Sequence, residues 1–210
     1  MKNLRASQQQ LLNAIAALIC ASEADSELAL PDIGLATAAL ATQGPILTGE
    51  AHCPPLVCEL LASVEPPGVD HLSTVLMALR DAAPTLRWFD PYPGRADQAE
   101  LRAGYFVTVL VGDPTREMSL TTSTLASIFI TVQAPHILYP PHSHRAPELY
   151  CALAGTAAWT KGDEPFALKQ PGSWMVHAPR MTHAMQTHDE PLVALAIWTA
   201  DLDCDATLDE

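Results

Sequence analysis

Between Tyr139 and Tyr150 the chain reads YPPHSHRAPELY, which gathers His142, His144, Glu148 and two tyrosines into twelve residues of a protein with only 8 histidines and four tyrosines. In extended chain alternate side chains share a face, so His142 pairs with His144 and Glu148 with Tyr150. All four even positions look the same way if the strand resumes in phase after Arg145 to Pro147, which reads as a turn. Imidazole nitrogens and a carboxylate oxygen are the ligands that hold Zn, Fe, Mn, Ni or Co in a site with open positions. A further histidine is then expected from a distant strand. QPGSWMVHAPRMTHAM offers His177 and His183, the latter just past a proline turn at the start of a strand. His52, His71, His136 and His188 stand alone and read as ordinary surface or core residues.

The elements that must position these groups differ between the two halves of the chain. From Ser7 to Pro84 the sequence is rich in Ala and Leu and broken by prolines, the texture of several helices. One is expected over Gln8 to Ala21, one from Pro55 to Ser63, and one after Asp70 as N-cap. In the first, Leu11, Ile15, Leu18 and Ile19 fall on one apolar face. Beyond Gly104 come YFVTVLVG, TSTLASIFITVQ, ELYCALAG, TAAWTKG, SWMVHAP and PLVALAIWTA, short apolar or alternating segments separated by Pro and Gly. That is the pattern of an antiparallel sandwich or barrel. The fold class is therefore mainly β, with a helical N-terminal region at 1–100, a barrel carrying the site at 101–203 and an acidic tail at 204–210.

Composition excludes other classes. Hydrophobic residues make up 49% of the 210 and charged ones 17%, enough to fill a core. A net charge of −13 repels nucleic-acid phosphates and anionic membrane surfaces, so neither is an expected partner. Five cysteines, an odd number with no C-x-x-C pair, argue against a disulfide framework and for a reducing, cytoplasmic setting. Cys53 and Cys58 read as ordinary thiols, not as half of a second metal site. Lys2 and Arg5 precede LLNAIAALICA, which imitates a short signal segment but reads as the amphipathic helix above. No apolar run approaches the roughly 20 residues of a membrane span.

The segments HSHRAPELYCALAG and PGSWMVHAPRMTH resemble the two signature motifs of the cupin superfamily, with His142, His144, Glu148, Gly155 and His183 in place. In the second motif Arg180 stands where glycine is usual, and no asparagine follows His183. Within that superfamily YPPHSHRAPELY, LAGTAAW, PLVALAIWTADLD and LPDIGLATAAL resemble the cupin-type lyases that cleave dimethylsulfoniopropionate (DMSP), over roughly residues 30 to 203. The resemblance implies a double-stranded β-helix (jelly-roll) barrel and one divalent transition metal held by His144, Glu148 and His183. His142 is then a fourth ligand or a substrate contact.

The implied reaction is β-elimination of DMSP to dimethyl sulfide and acrylate. Its base is a tyrosine, Tyr150 with Tyr139 as helper or the reverse, and Trp198 and Trp159 offer aromatic faces to the sulfonium. A phenol with a reference pKa near 10 needs a nearby cation to serve as base at neutral pH. The alternatives are another metal-dependent cupin enzyme on a small organic acid, such as a dioxygenase, isomerase or decarboxylase, and a non-enzymatic small-ligand-binding cupin. The partner is a small molecule in each case. LPDIGLATAAL and TGEAHCPP have two readings, a cover over the barrel mouth or the contact of a homodimer.

Overall fold

The computed structural model describes residues 4–47, 49–116 and 118–209. Lys2, Glu117 and the final acidic residue, Glu210, lie outside them. Four helices precede the sheets: α1 (Leu4–Ala24), α2 (Ile33–Thr42), α3 (Pro55–Ser63) and α4 (Asp70–Ala82), and the short α5 (Ala99–Gly104) leads into the first strand. The apolar face expected of α1 is realised, since Leu11, Ile15, Leu18 and Ile19 are all buried. The helix runs further than expected at both ends, because SQQQ continues it where Pro and Gly are absent. Asp70 is not an N-cap. Val69 is extended ahead of the helix, and Asp70 is its first residue, where its charge complements the helix dipole.

Among the described residues eleven strands form two sheets. The six-stranded sheet has the order β2 (Ser119–Thr122), β1 (Tyr105–Gly112), β3 (Ser127–Gln133), β10 (Leu192–Trp198), β5 (Glu148–Ala154), β8 (Trp174–His177). The five-stranded sheet has the order β11 (Thr207–Leu208), β4 (Leu138–Ser143), β9 (His183–Thr187), β6 (Ala157–Lys161), β7 (Ala167–Lys169). Every pairing is antiparallel except β1 with β2. The two sheets enclose a common interior in which Tyr105, Val107 and Tyr150 of one meet Tyr139, Trp159 and Met185 of the other. This is the jelly-roll barrel of the expected class.

The helices pack outside the six-stranded sheet. β5 shows why its sequence has no polar face: Leu149, Cys151 and Leu153 join the core shared with α1 to α4, while Tyr150 and Ala152 turn into the barrel. A strand covered on both sides reads as a continuous apolar run, and all seven of its residues are buried. Each fully buried Leu or Ile in that shared core contributes about 1.5–3 kcal/mol. α2 contributes Ile33, Ala36, Ala39 and Leu40 to the same core. LPDIGLATAAL is therefore packed behind the sheet and does not cover the barrel mouth.

The acidic end keeps its carboxylates in solvent but ties its backbone and apolar side chains to the barrel. Thr207 and Leu208 pair with Ser143 and His142, Leu208 and Cys204 are buried, and Asp205 is held by Arg116. No helix among the described residues is long and apolar enough to cross a membrane.

Candidate metal centre and active site

β4 and β9 place His142 directly across from His183. The register shifts between Tyr139 and His142, where β4 holds Pro140 and Pro141 against the single Ala184 of β9. Proline donates no backbone hydrogen bond, so the extra residue sits where the ladder loses least. The bulge turns Tyr139 to the same side as His142 despite their odd spacing, and the two rings stack with centroids 3.7 Å apart. Glu148 begins β5 opposite His177 of β8 and Trp198 of β10. His144, in the turn between β4 and β5, is tied down by the Arg180 N–H, which donates to the His144 carbonyl at 2.7 Å. Arg180 takes the left-handed backbone (φ 61) that the expected glycine would take, so the turn survives the substitution at a cost of about 1–2 kcal/mol.

Three ligand atoms converge. The Nε2 atoms of His144 and His183 lie 3.4 and 3.2 Å from Glu148 Oε2, and all three residues are buried. Each imidazole is oriented through its other nitrogen: Nδ1 of His142, His144 and His183 lies 2.8 Å from the carbonyls of Pro140, Ala146 and Met181. A carbonyl only accepts, so Nδ1 carries the proton and Nε2 presents a lone pair. Nε2 of His144 and of His183 have no hydrogen-bond partner although both are buried. Unpaired buried acceptors are costly, and ligands about 2.0–2.1 Å from a tetrahedral ion stand about 3.4 Å apart. The residues present therefore fit a divalent metal. Cys53 and Cys58 bring their sulfurs to 3.4 Å, but no third ligand joins them among the described residues.

A cavity of about 230 Å³ opens onto this centre. Its wall includes His142, His144, Glu148 and Trp198, and all four tyrosines of the chain: Tyr92, Tyr105, Tyr139 and Tyr150. The Tyr92 and Tyr139 hydroxyls are 2.5 Å apart, and those of Tyr105 and Tyr150 3.3 Å apart. Trp198 donates its indole N–H to Glu148 Oε1 at 2.8 Å, and its ring lies 4.6 Å from that of His144. Trp159 does not line the cavity. It packs behind Tyr150, centroid to centroid 4.9 Å, as part of the interior core.

Burial would raise the Glu148 pKa, but the imidazoles around it, among which His177 donates its Nδ1–H to Oε2, outweigh burial and hold the carboxyl well below the usual range. Burial, with His183 close by, keeps His142 neutral far below the ordinary histidine value. The tyrosines move the other way. Burial pushes Tyr92 up to about 12, and burial raises Tyr105, Tyr139 and Tyr150 as well, the charge of Glu148 adding to the effect at Tyr150. None of these phenols ionises at neutral pH without positive charge beside it.

Two participants escaped the sequence reading. Tyr92 sits in the DPYPG turn and Tyr105 at the head of β1; their signal was the scarcity of tyrosine in the chain. His177 was visible beside His183, but nothing in the spacing told a ligand from a neighbour of one.

Two facing sheets around His144, Glu148 and His183 define a cupin barrel with a candidate metal centre. A model of the dimethylsulfoniopropionate lyase family matches residues 35–194, which include every candidate ligand and both candidate bases. The chain belongs to that family, whose members are carbon–sulfur lyases. It is 29% identical over 138 residues to the dimethylsulfoniopropionate lyase DddQ of Ruegeria pomeroyi, spanning 64% of this chain and 67% of that protein. The crystal structure of DddQ from Ruegeria pomeroyi superposes with a TM-score of 0.79 at 24% identity, covering 97% of this chain and 96% of that one. A chain from the crystal structures of the DMSP lyases RdDddP and RnDddQII gives a TM-score of 0.78 at 24% identity, covering 99% of this chain and 100% of that one. At these identities the superpositions show a shared fold.

Proposed function

We propose that the protein cleaves DMSP to dimethyl sulfide and acrylate by a metal-dependent β-elimination in which Tyr150 is the base. The observation that carries this reading is the pair of unpartnered Nε2 atoms converging with Glu148 Oε2 beside a buried cluster of phenols. His144, Glu148 and His183 are the metal ligands, and His142 is a fourth ligand or a contact to the substrate carboxylate. A divalent cation of the Zn, Fe, Mn, Ni or Co type held there supplies Lewis-acid polarisation of that carboxylate and positive charge that favours a neighbouring phenolate.

Tyr150 takes the proton from the carbon next to the carboxylate. The electron pair left behind forms the carbon–carbon double bond of acrylate while the carbon–sulfur bond breaks and neutral dimethyl sulfide departs. Tyr139, held by Tyr92 and stacked on His142, orients the carboxylate end or exchanges roles with Tyr150. Trp198 presents its ring to the sulfonium from the cavity wall. Tyr139, His142, His144, Glu148 and Tyr150 are all buried, which keeps these charges effective at short range.

The test is gas chromatography of the headspace over purified protein supplied with DMSP and a divalent metal, in air and under nitrogen. Dimethyl sulfide is expected in both atmospheres and not after chelation. Its absence with the metal-loaded protein sinks the lyase reading, and release only in air points to oxygen-dependent cupin chemistry instead.

A further inference from the structure

Glu148 is gripped at both oxygens by groups that do not converge with it on the candidate metal position. Trp198, its cross-strand neighbour on β10, donates Nε1–H to Oε1 at 2.8 Å. His177, its cross-strand neighbour on β8, places Nδ1 2.9 Å from Oε2. An indole nitrogen only donates and an ionised carboxylate only accepts, so both directions are fixed: two N–H groups point at one carboxylate. His177 is buried, lies outside the cavity lining, and stacks its ring on that of His183 at 3.9 Å. It therefore touches two of the three converging ligands.

We infer that His177 and Trp198 are positioning residues that lock the Glu148 carboxylate so that it offers the metal one oxygen, Oε2, in a fixed plane. Oε1 is withheld by the indole, and Oε2 keeps a lone pair directed at the space between His144 and His183. Cross-strand pairing makes the lock rigid, since both donors ride on strands hydrogen-bonded to β5. The inference rests on the reading that His144, Glu148 and His183 bind a metal. Loss of such an outer hydrogen bond typically weakens a metal site about 10–100-fold.

Zn(II) affinity is measured by competition with a chromophoric chelator for the wild type, H177L, H177N, W198F and H183A, alongside thermal unfolding of each metal-free protein. H177L and W198F are expected to bind Zn(II) about 10–100-fold more weakly, whereas H177N, whose amide nitrogen takes the place of Nδ1, stays within about threefold of wild type. Wild-type affinity in both H177L and W198F, with H183A weakened, overturns the lock while leaving the metal reading intact. Wild-type affinity in H183A overturns the metal reading and the lock with it. A His177 that only fills space lowers the melting temperature of H177L without moving the affinity of its folded fraction, and this too overturns the proposal. If H177L does not fold, W198F against wild type decides.

Discussion

Tyr92 and Tyr139 meet hydroxyl to hydroxyl at 2.5 Å across 47 residues of sequence, joining the DPYPG turn to the bulged strand that carries His142. Tyr139 in turn packs its ring on His142 and lies 4.6 Å from the ring of Tyr105, so one contact ties three walls of the cavity together. Replacing Tyr92 with Phe removes the hydroxyl and keeps the ring. A neutral hydrogen bond is worth about 0.5–1.5 kcal/mol of stability, so the melting temperature is expected to fall by about 1–6 °C, and kcat roughly 2- to 10-fold if the hydroxyl contact also holds Tyr139 for the reaction. Steady-state kinetics on Y92F checks this; unaltered kcat and KM exclude a role for the contact.

Tyr150→Phe and Tyr139→Phe separate the two candidate bases. Loss of a general base costs on the order of 10²–10⁴-fold. Y150F is expected to lose kcat by that much while still binding DMSP in a calorimetric titration, and Y139F to lose less. The reverse order of the two effects assigns the proton transfer to Tyr139.

Acid is expected to destabilise the metal-free protein. His142 and His177 have folded pKa values below the ordinary histidine value, burial being the first cause for each. The unfolded chain therefore binds protons that the fold refuses, and stability drops as pH falls through the ordinary value toward the folded ones. His144 opposes this, because Glu148 outweighs its burial and raises its pKa. One net proton corresponds to about 1.4 kcal/mol per pH unit. Calorimetry of chelator-treated protein from about pH 7.5 to 5.5 should show a falling melting temperature. A flat or rising one contradicts the assignment of two buried neutral imidazoles.

Gly155 closes the first motif because its backbone is left-handed (φ +74) and a Cβ there would lie 1.9 Å from the Pro191 carbonyl oxygen. That oxygen belongs to the backbone leading into β10 and cannot swing aside. Gly155→Ala is expected to cost more than the roughly 1–2 kcal/mol of left-handed strain alone, seen as a lowered melting temperature or insoluble protein. A wild-type melting temperature for G155A contradicts this geometry.

Much of the site was legible because its spacing is local. E-x-Y places two groups of β5 on one face because the period of a strand is two, and H-x-H keeps its two imidazoles close although His144 lies just past the end of β4. The apolar side of α1 was legible in the same local way, through the 3.6-residue period of a helix. Tyr139 was legible as a residue but not as a direction. Its inward turn depends on one extra residue in β4: the two prolines make a bulge cheap there, but only the pairing with β9 decides that one forms. The strand at Thr207–Leu208 was hidden by its acidic neighbours, because an edge pairing needs only a few backbone bonds and one buried Leu.

Short-range periodicity in the sequence marked the class of barrel and brought His142, His144, Glu148 and Tyr150 forward as candidates, and the resemblance to the lyase family singled out His144, Glu148 and His183 as candidate ligands and Tyr150 and Tyr139 as candidate bases. What tertiary structure alone decided was company. Trp198 came to the Glu148 carboxylate while Trp159 went behind Tyr150, and His177 came to stand against two candidate ligands, Glu148 and His183. The four tyrosines came to share one cavity. Those outcomes depend on which strands pair and in what register, and register is a property of two segments at once, so neither segment carries it by itself.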